Sequence, residues 1–432
     1  MQTIRIGIAG LGVVGSGVVK HLWANADLIA ERTGFRIEVA RVAERDPARC
    51  SALGIDSSRL TVDPLELARD PSLKIVVELM GGTGIARQFI DLALRQGKGV
   101  VTANKALLAE AAEPLVGLAT QNRLPLCFEA SVAGGIPILK ALREGLVANR
   151  IISIHGIVNG TCNFILSSMT QSGQPYAEAL AEAQRQGFAE ADPTLDVGGF
   201  DAMHKACILA ALAYGFWIRP SDVHTRGIDA VTPEDLHFAK VLGYTIKHLA
   251  VVRCDEDGAV EVHVGPTLIP STNVMASVGG VFNALAVRGD VVGDTLFYGR
   301  GAGPDATASA VISDIAEASS ALAQGYHLPA CGIHGLYNRF RPYGETRSRY
   351  YVRFSVADRP GVLAQIADVF GKHQISIASV FQPKEHPGAV VPLVMLLYRA
   401  REQYLRDALA EISRLPVNQG ESVALRVEDF DT

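Results

Sequence analysis

The stretch TIRIGIAGLGVVGSGVVKHL, residues 3–22, alternates Ile4, Ile6 and Ile8 and then runs into Gly10-x-Gly12-x-x-Gly15 ahead of a helical apolar pattern. Alternation with period two predicts a strand, and the change of period beyond the glycines predicts a helix. Glycines at that junction permit a tight turn. They also let backbone N–H groups approach a pyrophosphate in the positive field of a helix N-terminus. Gly10, Leu11, Gly12, Val13, Val14 and Gly15 are therefore candidate dinucleotide-binding residues.

Downstream, FRIEVARVAER, LKIVVELMGG, GKGVVTANK and LPLCFEASVAGG read as strands, with IARQFIDLALRQG and ALLAEAAEPLVGLATQ as helices between them. Repeated βα units with nearly continuous apolar strands predict an α/β fold with a doubly wound, Rossmann-type parallel sheet over residues 1–130. A segment returning around 303–325 is expected to complete it. Ligands of such sheets lie beyond the carboxyl ends of the strands. At the end of the second strand, Glu44 suits a ribose 2′-hydroxyl, and Arg45 suits a 2′-phosphate, with Arg49 a turn further on. NADP is favoured and NAD stays open. Lys105 reads as the end of a buried strand facing the cofactor.

The 432 residues are enough for two or three domains, and 48% apolar with 20% charged is an ordinary globular balance. A net charge of −5 without a basic stripe gives no case for nucleic acid. No apolar run reaches membrane-spanning length, and the opening residues form a strand rather than a signal peptide, so a cytoplasmic protein is expected. Cys50, Cys127, Cys162, Cys207, Cys254 and Cys331 are scattered without a C-x-x-C, which reads as reduced thiols.

Past residue 130 the βα rhythm stops. NRIISIHGIVNGTCNFILSSM predicts a strand, a polar turn and a helix opened by Asn159, Gly160 and Thr161. That helix start suits a substrate carboxylate or plain capping. Cys162 is a possible nucleophile, with His155 the nearby base, but a buried apolar role is preferred. GFAEADPTLDVGGFDAMHKACILAALA, residues 187–213, gathers Glu190, Asp192, Asp196 and Asp201 ahead of Lys205. Asp201 and Lys205 are four residues apart on one helix face, so the carboxylate can orient a semi-buried lysine able to exchange protons. The remaining acids suit an ammonium-bearing substrate better than a divalent metal.

The tail, from residue 349, follows the polar, arginine-rich linker LYNRFRPYGETRSR. YYVRFSVAD, RPGVLAQIADVFGKHQ, ISIASVFQ, AVVPLVMLLYR, QYLRDALAEISRLP and ESVALRVED read as βαββαβ, with KEHPG as the turn between the second and third strands. That order is a ferredoxin-like unit.

Together GLGVVGSG, VTANKALLA, FEASVAGGIP, GIVNGTCNFIL and GFAEADPTLDVGGFDAMHKACILA resemble homoserine dehydrogenases, and DRPGVLAQIADVFGKHQISIASV resembles an ACT domain. The resemblance implies reversible NAD(P)-dependent interconversion of L-homoserine and L-aspartate 4-semialdehyde, on the route to threonine, methionine and isoleucine. It implies Lys205 as acid/base, Lys105 as a second essential lysine, and Glu190, Asp201 and Asp196 at the substrate. Gly187 and Gly303 would close on the cofactor, and Glu129, Val132, Gly134 and Ile136 would hold a structural sodium ion. It also implies an α+β substrate and dimerisation domain over 131–335, an ACT domain over 349–432, a homodimer or homotetramer, and no fused kinase ahead of residue 1. Threonine is the expected effector of the tail, and a chain ending near residue 345 is expected to keep turnover. A cysteine-dependent semialdehyde dehydrogenase and a non-catalytic nucleotide-binding regulator are the competing readings.

Overall fold

The computed structural model of the chain describes residues 1–325, 336–382 and 389–430. Cys331 and the turn KEHPG, residues 384–388, lie outside the described residues. The strands are β1 (Gln2–Ala9), β2 (Phe35–Ala43), β3 (Leu60–Thr61), β4 (Ile75–Glu78), β5 (Gly99–Thr102) and β6 (Leu126–Cys127). Next come β7 (Ile151–Ile157), β8 (His224–Thr225), β9 (Tyr244–Cys254), β10 (Ala259–Pro270), β11 (Phe282–Gly289) and β12 (Gly293–Arg300). The last are β13 (Arg339–Phe340), β14 (Arg347–Ala357), β15 (Ile377–Phe381), β16 (Val390–Arg401) and β17 (Val423–Val427).

Contacts divide the chain into two compact units. The first contains Met1–Val158, Asp201–Ser221 and Phe282–Asn338; the second contains Asn159–Phe200, Asp222–Val281 and Arg339–Thr432.

In the first unit, β3-β2-β1-β4-β5-β6 form a parallel sheet with the doubly wound order. Ile4, Ile6 and Ile8 are all buried, because helices cover the sheet. Val18, Val19 and Leu22 of helix Val13–Ala24 pack into the same core as Ala308, Val311, Ile315 and Ala318 of helix Pro304–Gln324. β7, β11 and β12 form an antiparallel set in this unit. One sequence expectation changes here. Lys105 does not end a strand: β5 stops at Thr102, and Lys105 opens helix Lys105–Asn122, capped by the Asn104 side chain.

In the second unit, β9-β10-β17-β14-β16-β15 form a sheet in which the tail supplies the last four strands. The tail has the predicted βαββαβ order, with helices Val362–Lys372 and Glu402–Ile412. Alternate residues of β14 serve two different cores. Tyr350, Val352 and Phe354 pack under the tail's own helices. Tyr351 faces the opposite way and joins Leu166, Ile228, Phe238, Leu268 and Leu425. On that same side Arg353 donates to Asp235 through Nε at 2.7 Å and Nη2 at 3.1 Å, and pairs with Glu234 at 2.9 Å. Asp235 is fully buried and also accepts from the Tyr351 hydroxyl at 3.1 Å. The tail is thus not a free module behind a flexible linker. Within LYNRFRPYGETRSR, β13 pairs with β10, and β14 already begins at Arg347.

Candidate active site

Gly10 follows β1 with φ +96°, and a Cβ there would stand 2.6 Å from the Leu79 carbonyl oxygen. A Cβ on Gly15 would collide with the Gly10 carbonyl. Only glycine satisfies both positions, which brings the Gly12–Val13–Val14 helix start close against the end of β1. A cavity of about 340 Å³ opens at the carboxyl ends of β1, β2 and β4, lined by Gly10, Gly12, Glu44, Arg45, Arg49 and Met80. Its position and glycine rim fit a dinucleotide.

Glu44 organises this rim. Its carboxylate accepts from the N–H groups of Leu11 at 2.8 Å, Arg45 at 2.9 Å and Asp46 at 3.0 Å. Burial pushes its carboxyl up, but those N–H donors and the Arg49 guanidinium outweigh burial and hold it below its ordinary value. Arg49 pairs with Glu44 and Asp46, both at 3.6 Å. The exposed side chain of Arg45 has no ion-pair partner among the described residues.

The two lysines meet at one carboxylate. Asp201 and Lys205 lie in the first turns of helix Phe200–Tyr214 and are both buried. Lys205 Nζ donates to Asp201 Oδ2 at 2.7 Å and to the Val158 carbonyl at 2.6 Å. Lys105 Nζ stands 2.6 Å from Asp201 Oδ1. Burial alone would push the Asp201 carboxyl up; the two ammonium groups beside it overcome that and hold it far below the carboxylate range. Lys205 is enclosed, whereas the Lys105 side chain is 43% exposed. The arrangement offers two fixed cationic donors to a developing oxyanion.

Asn159, Gly160, Thr161, Cys162, Gly187, Glu190, Asp192 and Asp196 belong to the second unit. Asn159 caps helix Gly160–Ser172: its Oδ1 accepts from Cys162 N at 2.8 Å, while its Nδ2 donates to Asp196 Oδ1 at 2.8 Å. The Thr161 hydroxyl donates to the Phe188 carbonyl at 2.6 Å and lies 3.3 Å from Asp196 Oδ2. Asp196 therefore fastens the acidic loop to the helix start. Asp192 caps its own turn through Thr194 N and Oγ1. The exposed carboxylate of Glu190 has no partner among the described residues, and Gly187 turns the chain at φ +75°. Asp192 and Asp196 are thus engaged within their own unit, the one in its own turn and the other at the helix start. Cys162 is wholly buried, with its thiol directed at the Asp196 carbonyl at 3.2 Å.

Comparison with known proteins bears on this geometry. Residues 10–129 match the homoserine dehydrogenase NAD-binding domain, residues 137–316 match homoserine dehydrogenase, and residues 350–416 match the ACT domain. A homoserine dehydrogenase of Pseudomonas aeruginosa is 42% identical, with all of both chains covered. The chain belongs to the homoserine dehydrogenase family. A crystal structure of a homoserine dehydrogenase from Thiobacillus denitrificans superimposes with a TM-score of 0.94 at 41% identity, covering 100% of this chain and 99% of that one. A hyperthermophilic archaeal homoserine dehydrogenase in complex with NADPH matches with a TM-score of 0.62 at 28% identity, covering 74% of this chain and 98% of that one.

Membership makes the chain an oxidoreductase with an NAD(P)-binding domain. No helix among the described residues is long and apolar enough to cross a membrane. The stretch expected to hold sodium in a homoserine dehydrogenase can be tested on its geometry. Ala133 and Gly134 are left-handed, at φ 52° and φ 41°, and Gly134 packs on the Gly301 carbonyl. The Val132 and Gly134 carbonyls accept no backbone hydrogen bond among the described residues, which suits a small cation, whereas the Ile136 carbonyl already accepts from Ile138 N at 2.8 Å. Glu129 fits less directly, because its carboxylate accepts from the N–H groups of Leu139 and Lys140. Gly303, at φ 115°, opens helix Pro304–Gln324 two residues after Gly301, on whose carbonyl Gly134 packs.

Two residues of this homoserine dehydrogenase escaped sequence reasoning. Glu78, fully buried at the end of β4, accepts from Met80 N, Gly81 N and the Thr102 hydroxyl. Asn104, whose N–H donates to that Thr102 hydroxyl, also caps the helix that Lys105 opens, so Glu78 sets the base on which Lys105 stands. A carboxylate ending an apolar strand was the available signal. Lys247 is buried on β9 with Nζ 2.5 Å from the Val278 carbonyl and 3.3 Å from Asn163 Oδ1, and burial pulls its ammonium down to about 8.

Proposed function

We propose that the chain interconverts L-homoserine and L-aspartate 4-semialdehyde with Lys205 as the acid/base. The observation that carries this reading is the pair of lysines held on Asp201. A bound nicotinamide cofactor supplies or accepts the hydride. On reduction, negative charge grows on the substrate oxygen; Lys205 stabilises it and gives up a proton, and on oxidation it takes one back. Asp201 keeps the Lys205 ammonium in place and holds Lys105 near it. On the family resemblance, Glu190 is assigned to the substrate ammonium, and Thr161 and Gly160 to the substrate carboxylate.

NADP is favoured over NAD because the Arg45 guanidinium at the cavity rim has no ion-pair partner among the described residues and the archaeal relative is in complex with NADPH. Gly187 and Gly303 are assigned to the cofactor on the family resemblance. The left-handed turn at Ala133–Gly134 supports a sodium ion held by the Val132 and Gly134 carbonyls, with Ile136 and Glu129 beside it. Threonine is proposed as the ACT effector, received at the start of helix Val362–Lys372. A homodimer or homotetramer is favoured by β12, an edge strand with Leu296 and Tyr298 exposed. The deciding experiment follows nicotinamide absorbance with L-homoserine and each cofactor. Absence of turnover with both cofactors, in folded protein that still binds cofactor, would leave the regulator reading standing.

A further inference from the structure

A second cavity, of about 240 Å³, lies within the second unit and is lined by none of the residues of helix Val362–Lys372. Strand β10 creates it. Along one edge β10 pairs with β8 at His263–Val264 and with β17 at Thr267–Leu268. Gly265 and Pro266 lie between those partners, and proline has no N–H to continue a ladder. The edge opens there, and Arg226, Tyr343, Glu402, Arg406 and Arg426 close around the gap.

The Tyr343 ring stands as a plate in this wall. His224 stacks on it at 3.7 Å between centroids and 13° between planes, while Arg426 Cζ lies 4.5 Å and Arg406 Cζ 5.0 Å from its centre. Arg226 is fixed by donating to the Ala424 carbonyl at 2.6 Å. Glu402 is the single carboxylate of the lining. It is shared among Arg406 at 3.2 Å, Arg426 at 3.5 Å and the Tyr350 hydroxyl at 2.8 Å. Three guanidiniums therefore face one carboxylate. The neighbouring group of Arg253 with Glu261 and Glu428 lowers this excess without removing it. Burial keeps the His224 imidazole neutral, pulled down to about 4.

We propose that this cavity binds a small organic carboxylate. Guanidinium forks match carboxylate geometry, and the flat Tyr343–His224 stack offers an apolar wall for the rest of the molecule. The volume lies under the ~300–1,000 Å³ typical of drug-sized ligands, which favours a metabolite of a few carbons over a nucleotide. The lining joins β8 and β10 to helix Glu402–Ile412 of the ACT region. An occupant clamps those elements together and stabilises the unit by mass action.

The test is calorimetry on the full chain with succinate, and separately with inorganic phosphate, alongside thermal melting. Saturable succinate binding is expected. Arg406→Ala, at a side chain 46% exposed, should weaken it about tenfold, the value of a charge-assisted hydrogen bond. Arg414→Ala makes the same charge change at an exposed position outside the lining and should leave affinity unchanged. Absence of saturable binding overturns the proposal, as does equal loss in both variants or full affinity in Arg406→Ala. Binding of phosphate without succinate overturns the carboxylate assignment. The readout is binding, so failure leaves the dehydrogenase reading untouched.

Discussion

The carboxylate of Asp201 bridges two lysines from distant parts of the chain, with Lys105 Nζ at 2.6 Å from Oδ1 and Lys205 Nζ at 2.7 Å from Oδ2. Neither lysine can be altered without changing the electrostatic setting of the other. The two differ in exposure, which separates their expected behaviour on substitution.

Lys205→Ala should lower turnover by ~10²–10⁴-fold, the usual loss on removing a general acid, with cofactor affinity nearly unchanged. Cys162→Ser should keep most activity, because the buried thiol faces the Asp196 carbonyl rather than open space. Steady-state rates at the nicotinamide band check both. The opposite pattern would restore the cysteine-dependent mechanism.

Asp201 also sets an acid dependence of stability. Its folded carboxyl is held below the ordinary value of 3.8, so its contribution is present above that value and is lost as pH falls through the folded one. Asp201→Asn should therefore cost about 3 kcal/mol near neutral pH, the scale for removing one partner of a buried ion pair. The deficit should narrow as pH falls below 3.8. Urea unfolding over a pH series measures it, and a pH-independent deficit would contradict the charge argument.

Glu190→Gln should mainly raise KM for homoserine, since a carboxylate without a partner among the described residues is lost. Asp196→Asn differs, because that carboxylate accepts from Asn159 and approaches Thr161. It should lower thermal stability as well as activity. Equal melting temperatures for the two variants would argue against this division.

Arg45→Ala should weaken NADP more than NAD, measured by cofactor titration. Arg45 has no ion-pair partner among the described residues, so on the proposed reading it would meet a 2′-phosphate, while Arg49 is engaged by Glu44 and Asp46. Equal weakening would remove Arg45 from cofactor discrimination.

Cutting the chain near residue 345 should now unfold the second unit rather than yield a desensitised enzyme. Tyr351, Val394, Leu396 and Leu425 complete a core with Leu166 and Phe238. Arg353→Met should show a milder form of the same effect, about 3 kcal/mol lost through the stranded buried Asp235. Circular dichroism melts of both proteins test this, and a well-folded truncated chain would reverse the conclusion.

The parallel sheet was legible because strands such as Ile75–Glu78, buried on both faces, leave continuous apolar runs between helical patterns. The Asp201–Lys205 pair was legible because helical spacing alone joins them. The Lys105 contact was not, since only the packed fold brings residue 105 to residue 201. The strand-end reading of Lys105 failed because Asn104, committed to capping, starts a helix where the apolar run alone suggested more strand. The tail's share in a second core was not legible for a different reason. Alternation in YYVRFSVAD predicts a strand with two faces but not that both are buried, and Arg353 looks like a solvent residue until Asp235 is placed against it.

The pairing of Thr267 and Leu268 with Arg426 and Val427 has a bearing on how the protein is made. β10 leaves the ribosome long before β17, with the whole of residues 271–422 synthesised in between. Until then the open edge of β10 and its apolar neighbours have no permanent cover, and closing so long a loop is slow compared with local helix formation. The second unit should accordingly be the late and aggregation-sensitive step of folding, dependent on a strand of five residues near the end of the chain.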